Sequence, residues 1–353
     1  MDPDCKKSKK ILIYTGFSSK PWNYSTLATH GLGGAETCVC RLAEQLSAEY
    51  DVYIAGGVAD ETVGKITFIV FDRLSEFLKE NVFHAVIVSR YLGFLEDYVV
   101  QTEKIYLWIH DLSIISYAWN RQIDLSSTIK KWDSKITAYI CLTDWHRDNT
   151  RLLYPYIAAE KIKVIPNGIL TSLFPKSFQK KKNHFVFTSQ PSRGYKRILE
   201  LWPDILKEIP EATLSLATYV AFPGNDAEKE QMMTIQGMPS IQFLGKLNPA
   251  GLYQLLATTE YWLYPTDFLE TFCITGLEML RSGTICLYYP VAALNDTVGE
   301  YGIRLQRGSE IEAIGAIARD EDQKKVMIQR GLEYADRFDW LRVYELWSAV
   351  LSA

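Results

Sequence analysis

The chain has 353 residues, 48% hydrophobic, 13% aromatic and 23% charged, enough for two domains that each bury a core. A formal net charge of −4 excludes a general nucleic-acid binder, which would be strongly basic. No run approaches the ~18 apolar residues of a membrane span, no signal-peptide core opens the chain, and six cysteines without a CxxC pair fit reduced thiols in a cytoplasmic protein with no zinc site.

In chain order, "ILIYT" (11–15) is the first apolar, β-branched run, followed by the long loop "FSSKPWNYSTLATH" (17–30). "HGLGGAE" (30–36) then opens a helical pattern over 34–50, on which Cys38 and Cys40 point to different faces. Strand-like runs follow at 51–56, 66–71, 84–89, 105–110, 136–142 and 162–166. The stretch 168–185 is rich in Pro and Lys and lacks a long period, which marks a domain boundary. Beyond it come "HFVFTS" (184–189), a helical stretch 195–209, then "ATLSLATY" (212–219), "IQFLG" (241–245), "YWLYP" (261–265) and "TICLYY" (284–289). Near-continuous apolar strands alternating with helices predict parallel sheets covered on both faces. Two doubly wound domains in tandem would each place ligand-binding loops at the carboxyl ends of their strands. A last helix, 339–353, carries Trp340, Tyr344, Trp347 and Leu351 on one stripe and must pack on something. The basic runs 6–10 and 176–182 fit a solvated tail and linker, or a weak peripheral contact with an anionic membrane.

Four stretches carry chemistry. Gly33 and Gly34 stand where glycines and a helix N-terminus together favour an anion, although the third glycine of a dinucleotide fingerprint is missing; a plain helix-start turn would look the same. Arg193, Lys196 and Arg197 in "SQPSRGYKR" (189–197) crowd a helix start, where cations oppose the helix dipole unless an anion sits among them. His110 and Asp111 end a strand at the expected crevice edge, as a capping histidine or as a ligand group. In "TDFLETFCITGLEML" (266–280), Glu270 lies on a polar turn and Glu278 among Leu277, Met279 and Leu280, where an ionised carboxylate is costly without partners. If most of 271–278 is helical, the two are roughly 12 Å apart along the axis, too far to flank one glycosidic bond. They suit the two ends of a long ligand, with the N–H groups of Thr271, Phe272, Cys273 and Ile274 facing a phosphate between them. "DED" (320–322) has no strand before it and is not read as a metal site.

The segment Glu270–Glu278 resembles the Glu-x7-Glu motif of the retaining glycosyltransferases of family four. The resemblance extends to "GGAE" (33–36), "IPNGI" (165–169), Arg193 with Lys196, and "FDWLRVYELW" (338–347), in that order along the chain. It implies the GT-B fold: two doubly wound Rossmann-like domains facing across a cleft. The expected divisions are an acceptor-binding domain at 1–172, a donor-binding domain at 173–335, and a terminal helix at 336–353 crossing back to the first domain. It further implies that Glu278 binds the donor ribose, Glu270 contacts the donor sugar, Arg193 and Lys196 grip the diphosphate, and His110 hydrogen-bonds near the sugar. The chain departs from the family pattern at Cys273, usually glycine, at Met279, and in the close spacing of Arg193 and Lys196, which makes Arg197 a candidate substitute.

The expected reaction moves a sugar from a UDP- or GDP-linked donor to a hydroxyl of a glycan, glycoprotein or glycolipid, with retention and without a metal or other cofactor. The loop 17–30, with Trp22, Asn23 and Tyr24, is expected to contribute to the acceptor site, because aromatic rings stack on sugar faces. Two alternatives remain: a nucleotide-sugar epimerase of the same architecture, which needs acid and base groups flanking the sugar, and a non-catalytic sugar-nucleotide-binding protein, which would tolerate loss of the clamp.

Overall fold

The computed structural model describes residues 8–114, 125–175, 177–218 and 237–353. Cys5, Lys6, Lys7, Lys176 and Tyr219, which figure in the runs above, lie outside them. The chain forms two compact units, Met1–Gly168 with Trp340–Ala353, and Ile169–Asp339.

The first unit holds strands β1 (Lys10–Tyr14), β2 (Asp51–Gly56), β3 (Thr62–Val63), β4 (Ile66–Val70), β5 (Val82–Phe83), β6 (Ala85–Ser89), β7 (Gln101–Thr102), β8 (Ile105–Trp108), β9 (Ala138–Cys141) and β10 (Ile162–Val164). Its main sheet runs β10-β9-β8-β6-β1-β2-β4-β3 and is parallel except at β3. Every residue of β6, β8 and β9 is buried, as expected for strands covered on both faces. The second unit holds β11 (Lys181–Phe187), β12 (Thr213–Ala217), β13 (Ile241–Gly245), β14 (Thr259–Tyr264), β15 (Ile285–Tyr288) and β16 (Ile303–Arg304), in the parallel order β13-β12-β11-β14-β15-β16. Chain order reverses between β1 and β6 in the first sheet and between β11 and β14 in the second. At such switch points the helices after the two central strands leave toward opposite faces and open a crevice at the carboxyl ends.

The terminal helix Trp340–Ser352 belongs to the first unit. Trp340, Val343, Trp347 and Leu351 are its buried stripe; Val343 takes the place expected for Tyr344, whose hydroxyl instead donates to Glu49 at 2.8 Å. The Trp347 ring meets Trp108 edge-on at 5.1 Å, and Lys104 and Tyr106 donate to the carbonyls of Leu351 and Val350, both at 2.8 Å. Gly168 of "IPNGI" must be glycine for packing: a Cβ there would lie 2.8 Å from the Trp340 ring.

The divisions expected at 172 and 335 fall instead at 168 and 339. The reason is local pairing inside the second unit, where Ile169 bridges Asp339 and the Asp339 carboxylate accepts from the backbone N–H of Thr171 at 3.2 Å and from its hydroxyl. The stretch read as a solvated basic linker is also partly structural. Lys181 and Lys182 begin β11, and Lys180 donates to the carbonyl of Leu256 at 2.9 Å and to Thr284 Oγ1 at 3.0 Å. Burial pushes the Lys180 ammonium down to about 7.

Candidate functional site

The second unit's switch point gathers the residues singled out after β11 and β14. The turn Pro191–Arg193 follows β11 and leads through Gly194, whose φ of 137° suits glycine, into the helix Tyr195–Glu208. β14 ends at Tyr264, and the loop 265–273 carries Glu270 to the start of the helix Ile274–Arg281. Because β11 and β14 are neighbours, both loops emerge at one edge.

There Arg193 Nη1 donates to Glu270 Oε1 at 2.9 Å, and Tyr264 Oη donates to the same oxygen at 2.7 Å. The Arg193 guanidinium also lies over the Phe268 ring, 4.0 Å from its centroid. Glu270 is 6% exposed, and among the described residues its Oε2 receives no hydrogen bond. Burial pushes this carboxyl above its ordinary range, while Arg193 and Tyr264 oppose the shift. Lys196 points outward and, among the described residues, makes no ion pair. A partly buried Arg–Glu pair, followed three residues later by an exposed lysine at the helix start, puts two cations within one short segment that a polyanionic ligand could use.

Arg197 is engaged elsewhere. It donates to Tyr289 Oη at 2.9 Å, to Glu200 at 3.0 Å and to the buried carboxylate of Glu310, so it is held by structural partners rather than standing beside Arg193. The helix after Glu270 starts at Ile274, three residues later than the expected reach of Thr271. Thr271, Phe272 and Cys273 are buried in the approach loop, and the first helical N–H groups, with no side-chain cap, belong to Ile274, Thr275 and Gly276. Cys273 is at the N-cap, its thiol pushed up by complete burial. Glu278 is partly exposed, and among the described residues it accepts from Tyr253 Oη at 3.3 Å. Loss of water around this carboxyl, opposed only by Tyr253, pushes it up to about 7.

In the first unit, Gly33 caps the helix Gly34–Leu46, and a Cβ at Gly33 would lie 2.4 Å from Glu36 Oε2. The helix start thus has the chain's own carboxylate standing over it, which favours the helix-start turn over an anion site at Gly33 and Gly34. Arg90, between them in the fold at the end of β6, reaches Glu36 at 3.4 Å and grips Asp111 with Nε at 2.8 Å and Nη2 at 3.0 Å. His110 packs on the Trp108 ring at 4.5 Å, and burial beside Arg90 and His146 holds it neutral, well below its usual pKa.

The loop expected to bind an acceptor has structural work instead. Trp22 is 3% exposed and meets Phe68 edge-on at 5.9 Å. Asn23 caps the helix Tyr24–His30 by accepting from Thr26 N at 3.0 Å, and Tyr24 donates to the Cys40 carbonyl at 2.7 Å. The buried Trp22 ring has no face open to a sugar in this structure, whereas Asn23 and Tyr24 are partly exposed. "DED" is likewise a helix start, with Asp320 Oδ1 accepting from Gln323 N at 2.8 Å.

Sequence reasoning missed Tyr264, Tyr253 and Arg90. Tyr264 had a signal, a polar tip closing the apolar strand "YWLYP"; Tyr253 and Arg90 had none that separates them from ordinary helix and turn residues.

No protein-family model matches the sequence, and no curated protein matches it. Solved structures do match over nearly the whole chain. Sucrose-phosphate synthase from Thermosynechococcus elongatus aligns with a TM-score of 0.69 and 14% identity over 97% of this chain and 98% of that one. Anabaena HepE in complex with UDP-glucose aligns at 0.71 and 17% identity, over 97% and 99%. The catalytic domain of Arabidopsis thaliana starch synthase IV, bound to ADP and acarbose, aligns at 0.71 and 10% identity, over 98% of each. At these identities the likeness is one of fold, and the two doubly wound units with their returning terminal helix have the GT-B fold of these glycosyltransferases.

Proposed function

We propose that the protein is a retaining glycosyltransferase, moving a sugar from a nucleoside-diphosphate donor to a hydroxyl of a glycan, glycoprotein or glycolipid. The observation that carries this is the cluster of Arg193, Glu270 and Tyr264 at the second unit's switch point, with the exposed Lys196 three residues along the chain from Arg193. Structures of the same fold hold UDP-glucose, UDP, and ADP with acarbose, which supports a donor of that class.

Arg193 and Lys196 would take the negative charge that grows on the departing diphosphate, aided by the N–H groups of Ile274 to Gly276 at the helix start. Each such preorganised donor is worth about 3 kcal/mol of transition-state stabilisation. Glu270, with one oxygen doubly occupied, presents the other to the donor sugar. Glu278 would accept from the ribose hydroxyls. These cations make a divalent ion unnecessary for the charge on the diphosphate, and the proposed reaction is metal-independent.

Calorimetry with UDP, ADP and GDP tests the donor site. One of them should bind the wild type, and Arg193→Ala should weaken it at least tenfold. Absence of binding by all three would overturn the proposal. NMR of the product formed from an α-linked donor should show an α-linked sugar; a β product would overturn the retaining assignment.

A further inference from the structure

We propose that a groove of about 420 Å3 at the carboxyl ends of β15 and β16 takes a negatively charged substituent of a sugar substrate, a carboxylate or a phosphate. The groove is lined by Asp267, Tyr289, Pro290, Leu305 and the two arginines Arg304 and Arg307, and its size is within the usual range of small-ligand sites. This rests on the proposed function and narrows its substrate class.

The groove adjoins the candidate site through two loops. Asp267 is on the same loop as Glu270, and Ala293, in the loop after β15, donates its N–H to the Glu270 carbonyl at 3.1 Å. The floor is built of groups already paired with one another. The Tyr289 ring is 4% exposed, and its hydroxyl sits between Arg197 Nε at 2.9 Å and Glu310 at 2.5 Å. Glu310 is itself buried and paired with Arg197, so these two charges cancel.

The rim carries an excess of positive charge. Arg307 lies over the Tyr289 ring at 4.8 Å and pairs with Asp267 at 2.5 Å. Both side chains of that pair are more than half exposed, at 54% and 74%, where an ion pair is worth little and another anion can replace the carboxylate. Arg304 donates to Tyr288 Oη at 3.4 Å and, among the described residues, has no carboxylate partner. Two guanidiniums against one carboxylate leave one charge uncompensated beside an apolar wall of Pro290 and Leu305. Planar guanidiniums match carboxylate and phosphate oxygens in bidentate fashion, which a neutral hydroxyl cannot exploit.

The test compares matched substrate pairs on the full chain and on the double variant Arg304→Ala/Arg307→Ala. UDP-glucose against UDP-glucuronate forms the donor arm; glucose against glucose 6-phosphate forms the acceptor arm. The charged member of one pair should be favoured at least tenfold in kcat/KM. The double variant should lose that preference while handling the neutral member as the wild type does, and the arm that responds identifies whether donor or acceptor carries the charge. No preference in either arm, or a preference that survives in the variant, overturns the inference without touching the proposed function. If no sugar is transferred, NMR titration with glucuronate and glucose 6-phosphate decides the groove alone: shifts at Arg304 and Arg307 that vanish in the variant support it, and their absence overturns it.

Discussion

Tyr264 Oη lies 2.7 Å from Glu270 Oε1, the oxygen that also accepts from Arg193, so two donors meet on one side of the carboxylate. Tyr264→Phe keeps the ring packed and removes one hydrogen bond to a charged group, worth about 1.5–3 kcal/mol. The expected outcome is a fall in kcat of about tenfold or more with the donor Kd unchanged. Because Tyr264 stabilises the charged form of Glu270, the acidic limb of the pH–rate profile should move to higher pH in the variant. An unmoved limb would show that the phenol is only packing.

Glu278 supplies a pH dependence of opposite sense in stability and binding. Its folded pKa is raised to about 7, above the ordinary carboxyl value. Between that ordinary value and 7 the native state holds a proton the unfolded state has released, so its contribution to stability falls as pH rises through this window. Glu278→Gln should remove that slope: its melting temperature should match the wild type near pH 4.5 and exceed it at pH 8. Donor affinity should move the other way, rising with pH in the wild type and remaining low and flat in the variant. Parallel melting curves at every pH would refute the role of a poorly solvated carboxyl.

Trp22→Ala should act through folding. Removing a large core side chain costs about 3–5 kcal/mol, and Trp22 is packed on Phe68 in the first unit. Urea unfolding should show a loss of that size, while nucleotide affinity in the surviving folded protein stays at the wild-type value. Wild-type stability with a raised acceptor KM would restore the ligand role expected of this ring.

Transfer should survive EDTA. If Arg193 and Lys196 meet the diphosphate as proposed, no bridging ion is needed, and rates with and without chelator should agree. Loss of activity that manganese restores would show that the cations are not sufficient.

The alternation of apolar runs with helical periods was enough to read two doubly wound domains, because strands buried on both faces need unbroken apolar sequence. The same pattern located the loops after β11 and β14, and with them Arg193, Lys196, Glu270 and Glu278. It could not assign Trp22, Asn23 and Tyr24, since an aromatic cluster in a loop has the same composition whether it faces a ligand or fills a core. Nor could it separate Arg193 from Arg197, four residues apart on one turn. Side-chain direction sends the first to Glu270 and the second to Glu310.

Local chemistry is written in the chain: the glycine entering the helix at 195, the apolar strands, and the carboxylates of a Glu-x7-Glu segment. Partnership is not, because hydrogen bonds between Tyr264 and Glu270, Arg90 and Asp111, or Tyr253 and Glu278 join loops and helices whose approach depends on strand order. Sheet topology brings β11 beside β14 although some seventy residues separate them, and the reversal of chain order there opens the crevice. The shifted ionisation of Glu278 follows from the same cause, since loss of water around a carboxyl depends on what packs against it and not on its neighbours along the chain.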